Sequence, residues 1–211
     1  MRIVTKSANM PWKEWVSAAV SPLESGVQPL AVNGYRPPGG ADYRPGRTAA
    51  VLVPLMDLDE PQVVFTRRAE HLVQHPGQVS FPGGAAEKQD NSAVQTALRE
   101  AFEEIGLQSE QARPIGFLDR MDTISDYRVL AVVAFVEGQV DWVIDDSEVA
   151  EVFTVPLEFV LNRDNYTKQS ALRDGKDIRL WSLTWEQHRI WGATAAMLLN
   201  LIGRMEKVHE H

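Results

Sequence analysis

The stretch GGAAEKQDNSAVQTALREAFEEIGL, Gly83–Leu107, places a glycine pair ahead of a helix signature and closes on another glycine. Ser92 followed three positions later by Gln95 has the form of a capping box, and Gly106 suits the helix exit. Val94, Ala97, Leu98, Ala101 and Ile105 recur at helical spacing and supply a packed face. Glu100, Glu103 and Glu104 stand at i, i+3 and i+4, so they are expected to project as one carboxylate cluster. Arg99 can pair with Glu103, but one guanidinium does not neutralise three carboxylates. A hard divalent cation would, and oxygen ligands suit Mg2+ or Mn2+. The competing reading is a solvated charged face. Gly83–Gly84 weighs against it, because glycine lets the backbone approach a metal or phosphate closely.

Outward from this helix the pattern is mixed. Ala49–Met56 reads as a buried strand, Asp57–Pro61 as a turn, Gln62–Thr66 as a second strand and Gln78–Phe81 as a short third. RPIGFLDRM, YRVLAVVAFV, Glu151–Val155 and DIRLWSL also have strand character, and PLEFVLN reads as a short helix after Pro156. TWEQHRIWGATAAMLLNLIGRM reads as a closing helix with Ile190, Ala193, Ala196, Met197 and Leu201 on its apolar face. Trp181, Trp185 and Trp191 are expected to be partly buried packing groups. Residues 1 to about 48 read as an accessory arm, with a helix starting after Pro11 and a loop at NGYRPPGGADYRPG. The expected fold class is α/β, a sheet packed between helices, in a single domain spanning 1–211.

Composition narrows the function. The chain has 211 residues, 44% hydrophobic and 24% charged, which is ordinary globular usage. A net charge of -8 argues against binding a nucleic-acid polymer by bulk charge, so an anionic substrate needs a local basic patch or a metal. Cysteine is absent, which removes thiolate nucleophiles, disulfides and cysteine-held zinc. The N-terminus has no run suited to a signal peptide, and the longest apolar stretches are too short to span a bilayer. A cytoplasmic protein without membrane partners is the expectation. The C-terminal apolar helix either completes the core or enters a homodimer interface.

With these residues in place, Gly83–Leu107 resembles the Nudix box, most strongly at Arg99-Glu100-Ala101-Phe102-Glu103-Glu104-Ile105-Gly106. Between Gly84 and Arg99 there is one residue more than in the common box, and its usual intermediate glutamate is out of register; Asp90 or Glu87 takes that place. The longer spacing is similar to the coenzyme A diphosphatase subgroup. So is the preceding signature of Phe65-Thr66-Arg67-Arg68, then Leu72, His75, Gly77 and FPGG at Phe81–Gly84. DSEVAEVFTVPL, Asp146–Leu157, resembles the corresponding downstream element.

The resemblance implies a Nudix-type α/β/α sandwich with a mixed sheet. It also implies metal-dependent hydrolysis of coenzyme A, or its derivatives, to adenosine 3',5'-bisphosphate and 4'-phosphopantetheine. Glu100, Glu103 and Glu104 would hold Mg2+ or Mn2+, with the Gly83 or Gly84 carbonyl adding a ligand. Arg99 would orient a cluster carboxylate. Glu148 and Glu151 are candidates for the base or a further ligand, against a plain solvent-facing role. Arg67 and Arg68 would meet phosphate, one of them making only a surface salt bridge. His71 and His75 would contact phosphate or organise the loop, and Gln78 and Ser80 would give directional hydrogen bonds. The alternatives are an ADP-ribose or other nucleoside-diphosphate-linked hydrolase, and a non-catalytic nucleotide-binding module.

Overall fold

A computed structural model describes residues 10–24, 46–123, 126–173 and 176–209. The apolar strand expected at Ala49–Met56 is β1, Arg47–Met56, and it lies at the centre of a mixed sheet. It runs parallel to β7, Tyr127–Val136, through ten paired positions from Arg47↔Tyr127 to Met56↔Val136. Both strands bury residues on two faces, as their near-continuous Val, Leu and Ala runs require. Antiparallel neighbours complete the sheet. They are β2 (Gln62–Arg68), β3 (Val79–Ser80), β4 (Gly83–Ala85), β5 (Ala112–Phe117), β6 (Met121–Asp122) and β8 (Val149–Pro156). Its main path is β3-β2-β1-β7-β5, with β4 on β1, β6 on β7 and β8 on β2.

Helix α2, Ala93–Ile105, covers one face of this sheet. Its Ala97, Ala101 and Ile105 join Ala50, Leu52, Val132 and Ala134 in a core cluster. The other face is covered by α4, Gly192–His209, through Ala195, Met197, Leu198, Leu201 and Ile202. Helix α1, Trp12–Ala19, begins after Pro11 as expected and rests on α4, where Trp15 Nε1 donates to the Met205 carbonyl at 2.8 Å. A short α3, Leu157–Leu161, follows Pro156. The arrangement is the α/β/α sandwich with a mixed sheet.

The closing helix is shorter than its sequence suggested. It begins at Gly192, and His188–Trp191 form β11, paired antiparallel to β10, Lys176–Trp185, which pairs in turn with β9, Tyr166–Arg173. Glu186, with φ 51°, turns the chain between β10 and β11. Beyond it His188 is buried, Arg189 exposed and Ile190 buried, a period of two rather than a helical one. Ile190 therefore packs from a strand. Likewise RPIGFLDRM divides into β5 and β6. Trp181, Trp185 and Trp191 are partly buried, as expected, and Trp185 meets Phe159 edge-on at 4.6 Å. Most of the N-terminal arm, including the proline-rich loop, lies outside the described residues. No described helix is long and apolar enough to cross a membrane.

Candidate active site

Helix α2 is fixed at both ends by its own sequence. Ser92 Oγ accepts from Gln95 N at 3.2 Å, and Gly106 adopts φ 71° while its N–H reaches the last-turn carbonyls. Gln95 Oε1 closes the reciprocal half of the cap on Asn91 N at 2.8 Å, one residue earlier than a capping box would have it. The start of the helix sets the direction of every carboxylate further along.

Those carboxylates divide. Glu104 is 4% exposed and accepts the Gly83 N–H at 3.1 Å. Glu100 lies against Gly84, so close that a Cβ built there would stand 2.5 Å from Glu100 Oε2. Glu103 turns away to solvent and accepts from Arg99 Nη1 at 2.8 Å. Glu100 and Glu104 face β4, while Glu103 is exposed and shares Arg99 Nη1 with Glu100, on which its charge also acts. Glu148, exposed just before β8, adds a further charge whose field acts on both Glu100 and Glu104.

Arg99 is more heavily engaged than its sequence position disclosed. Nε and Nη2 grip the two oxygens of Asp90 at 3.2 and 2.9 Å. Nη2 also donates to the Ala85 carbonyl at 3.0 Å, and Nη1 lies 3.0 Å from Glu100 Oε1. Of the two candidates for the displaced acidic position, Asp90 therefore makes the close bidentate pair; Glu87 stands 3.9 Å from Arg99. The guanidinium, helped by the Glu87 N–H, holds the Asp90 carboxyl down to about 2, and Asp90 in turn raises Arg99. Arg99 ties the box loop, β4 and Glu100 together.

Replacing Asp90 by Asn should cost about 1.5–3 kcal/mol at pH 7, the range for a hydrogen bond to a charged group. Asp90 is depressed in the folded state, so its contribution is present above its ordinary value and disappears as pH falls from about 4 toward 2. Urea denaturation at pH 7 and pH 3 should show the variant closing on the wild type at the lower pH. An equal gap at both pH values would remove Asp90 from the acid transition.

Electrostatics single out the carboxylate pair. Burial pushes Glu104 up to about 8; the Gly83 N–H opposes this, while Glu100 and Glu148 add to it. Burial also raises Glu100, against the pull of Arg99. Two hard oxygen donors in a low-dielectric corner, each disfavoured as an anion, fit a divalent cation.

The other predicted residues separate as well. Arg67 donates to Glu151 at 3.0 Å and to Glu70 at 3.1 Å, so it is the arginine of the pair that makes salt bridges. Glu151 also receives His188 Nε2 at 3.1 Å. Burial pushes Glu151 up, but Arg67 and His188 outweigh it and hold the group below its ordinary value. That places Glu151 in a brace between β2, β8 and β11. His71 Nε2 lies 3.1 Å from the Ser147 carbonyl, consistent with organising the loop. Arg68, His75, Gln78 and Ser80 line a cavity of about 440 Å³ on the α4 side of the sheet. Gly83 and Gly84 line it too, so the side-chain-free backbone of β4 is shared by the cavity and the carboxylate pair. Arg68 connects the two regions: it lines the cavity, and its charge lowers Glu104.

The NUDIX domain model matches residues 46–174. Over 167 residues, 79% of this chain and 86% of the relative, the sequence is 39% identical to the uncharacterized Nudix hydrolase NudL of Enterobacter sp. (strain 638). A protein of the same name from Yersinia pestis (strain Pestoides F) is 38% identical over 155 residues, 74% of this chain and 78% of that one. Among solved structures, the MutT protein from Methanosarcina mazei Go1 superposes with a TM-score of 0.50 at 16% identity, covering 78% of this chain and 96% of that chain. That likeness concerns the fold.

Proposed function

The chain belongs to the Nudix hydrolase family, and from that premise we propose that it hydrolyses the diphosphate bridge of coenzyme A and its derivatives. The products would be adenosine 3',5'-bisphosphate and 4'-phosphopantetheine. One observation carries the reading: Glu100 and Glu104 converge on Gly83–Gly84 in a setting that disfavours their charge. Arg99 and the Gly83 N–H offset only part of the cost of burying two mutually repelling carboxylates, so their placement fits a cation-dependent site.

Glu100, Glu103 and Glu104, with the Gly84 carbonyl, would hold Mg2+ or Mn2+; the bound ion would neutralise diphosphate charge and acidify water. The chain's own groups account for the rest. Arg99, braced by Asp90, keeps Glu100 against β4. Glu148 is the proposed base, taking a proton as water oxygen bonds to phosphorus and the bridging oxygen leaves with its electron pair on the other phosphate. Arg68 supplies a fixed positive charge beside Glu104, suited to a phosphate oxygen. The coenzyme A assignment is supported by the lengthened box and by the paired signature from Phe65 to Gly84. One catalytic domain with an N-terminal arm docked through α1 is the matching organisation.

A panel of coenzyme A, dephospho-coenzyme A and ADP-ribose with Mg2+ or Mn2+ tests the substrate. The expected order of kcat/KM is coenzyme A, then dephospho-coenzyme A, then ADP-ribose. Arg68→Ala should raise KM for coenzyme A by about tenfold, the range for a charged hydrogen bond, while Arg67→Ala should act mainly on stability. If ADP-ribose outcompetes both coenzymes, the diphosphatase chemistry stands and the coenzyme A assignment falls.

A further inference from the structure

The cavity behind the glycine edge is lined mainly by apolar side chains, with Arg68, Gln74, His75, Gln78 and Thr123 among its polar residues. Met121, Val129, Trp181, Trp191, Ala196 and Met197 bring β6, β7, the β10–β11 hairpin and α4 around about 440 Å³, within the range of small-molecule pockets. Among the described lining residues Arg68 is the only lysine or arginine, and Asp122 adds a carboxylate. Arg68 already acts on Glu104 at the diphosphate end. Two of the wall hydroxyls are engaged within the protein: Thr194 Oγ1 donates to the Val79 carbonyl, and Ser80 Oγ lies 3.3 Å from Thr66 Oγ1.

Resting on the coenzyme A reading above, we propose that this cavity takes the uncharged arm of the substrate, the pantetheine end with an acyl thioester, and not the phosphorylated nucleotide. A nucleotide carrying a further phosphate would bring that charge against a mainly apolar wall, with Arg68 as the one lysine or arginine among the described lining residues; Asp122 is itself paired with Arg128 at 3.3 Å and Arg120 at 3.6 Å. The polar partners on the lining include Gln74, His75, Gln78 and Thr123; the Met, Val and Ala part of the wall offers a purine's ring nitrogens and amino group no partner. A flexible acyl chain has no such groups. The two methionines can adjust to its path. The two regions adjoin: Gly83 and Gly84 line the cavity and also touch Glu104 and Glu100, so a molecule held at the carboxylate pair lies beside the cavity.

The test uses the full chain with Mg2+ and a series of free coenzyme A and its acetyl, butanoyl and octanoyl thioesters. KM should fall by about tenfold or more from acetyl to octanoyl as methylenes leave water. Ala196→Leu, which fills the cavity from α4, should lower the octanoyl-to-free ratio of kcat/KM by about tenfold; Ala193→Leu is the second variant if the first does not fold. A flat chain series overturns the proposal. So does an Ala196→Leu enzyme that loses free coenzyme A, ADP-ribose and octanoyl thioester in equal proportion, since that puts the nucleotide in the cavity. Absence of turnover with free coenzyme A would instead fail the functional reading. In that event tryptophan emission titrated with octanoyl thioester in EDTA decides the inference: a saturable blue shift beyond that of free coenzyme A supports it, and no such shift overturns it.

Discussion

Glu104→Gln is expected to lower kcat for coenzyme A by about 10²–10³-fold, the loss typical of removing one electrostatic group aimed at a transition state. The fold should survive. Gln keeps the shape of the side chain and an oxygen for the Gly83 N–H, and it removes a charge that burial opposes. In EDTA at pH 8 the variant should therefore be more stable than the wild type, by on the order of 1–3 kcal/mol, and unfold at a higher temperature. Adding Mg2+ or Mn2+ should reverse the ranking, because a ligand that binds only the folded state raises its stability. A variant with wild-type kcat at saturating metal would remove Glu104 from the chemistry.

The same residue sets a pH dependence. Its folded-state value is raised to about 8 from 4.5, so the folded chain holds a proton that the unfolded chain has released between those limits. Its contribution to metal-free stability is complete below 4.5 and is lost as pH rises through about 8. A cation must displace that proton, so apparent metal affinity should weaken by about tenfold for each pH unit below 8. Melting scans at pH 6 and pH 8, with and without Mn2+, should show a metal-induced increment that grows with pH. Glu104→Gln should flatten that growth.

How far the sequence reaches is visible on helix α2. Its ends were readable at Ser92 and Gly106, and its inner face at Ala97, Ala101 and Ile105. The sorting of the glutamates was also within reach. At about 100° per residue, Glu104 lies about 60° from Ala101 and Glu100 about 100°, whereas Glu103 lies about 160° away and must face solvent. Spacing alone groups the three; the wheel referred to the apolar stripe separates them. Strand β4 gave no such signal, because Gly83 and Gly84 have no side chains to alternate. The Arg67–Glu151–His188 brace joins residues far apart in the chain, and the cavity needs β6, β10, β11 and α4 at once. Such long-range groupings follow from topology, which a local pattern does not contain.

The two glycines of β4 should fail in different ways when each is changed to Ala. At Gly83 a Cβ would stand 2.4 Å from the Ala50 carbonyl oxygen and 2.5 Å from Val51 Cα, both backbone atoms of the central strand. Backbone there cannot give without breaking the pairing of β4 with β1, so Gly83→Ala should cost about 2–4 kcal/mol and lower the melting temperature by roughly 5–15 °C. At Gly84 the atoms in the way are Oε1, Oε2 and Cδ of Glu100, the free end of a flexible side chain. Glu100 can swing aside, and Ala keeps the carbonyl at this position, so the fold should lose little. What Gly84→Ala displaces is the carboxylate, by about the distance that a mispositioned group needs to cost 10²-fold in kcat/KM. Circular dichroism melts alongside coenzyme A turnover would separate the two. A stable Gly84→Ala enzyme with unchanged kcat/KM would mean that the position of the Glu100 carboxylate against β4 has no part in catalysis.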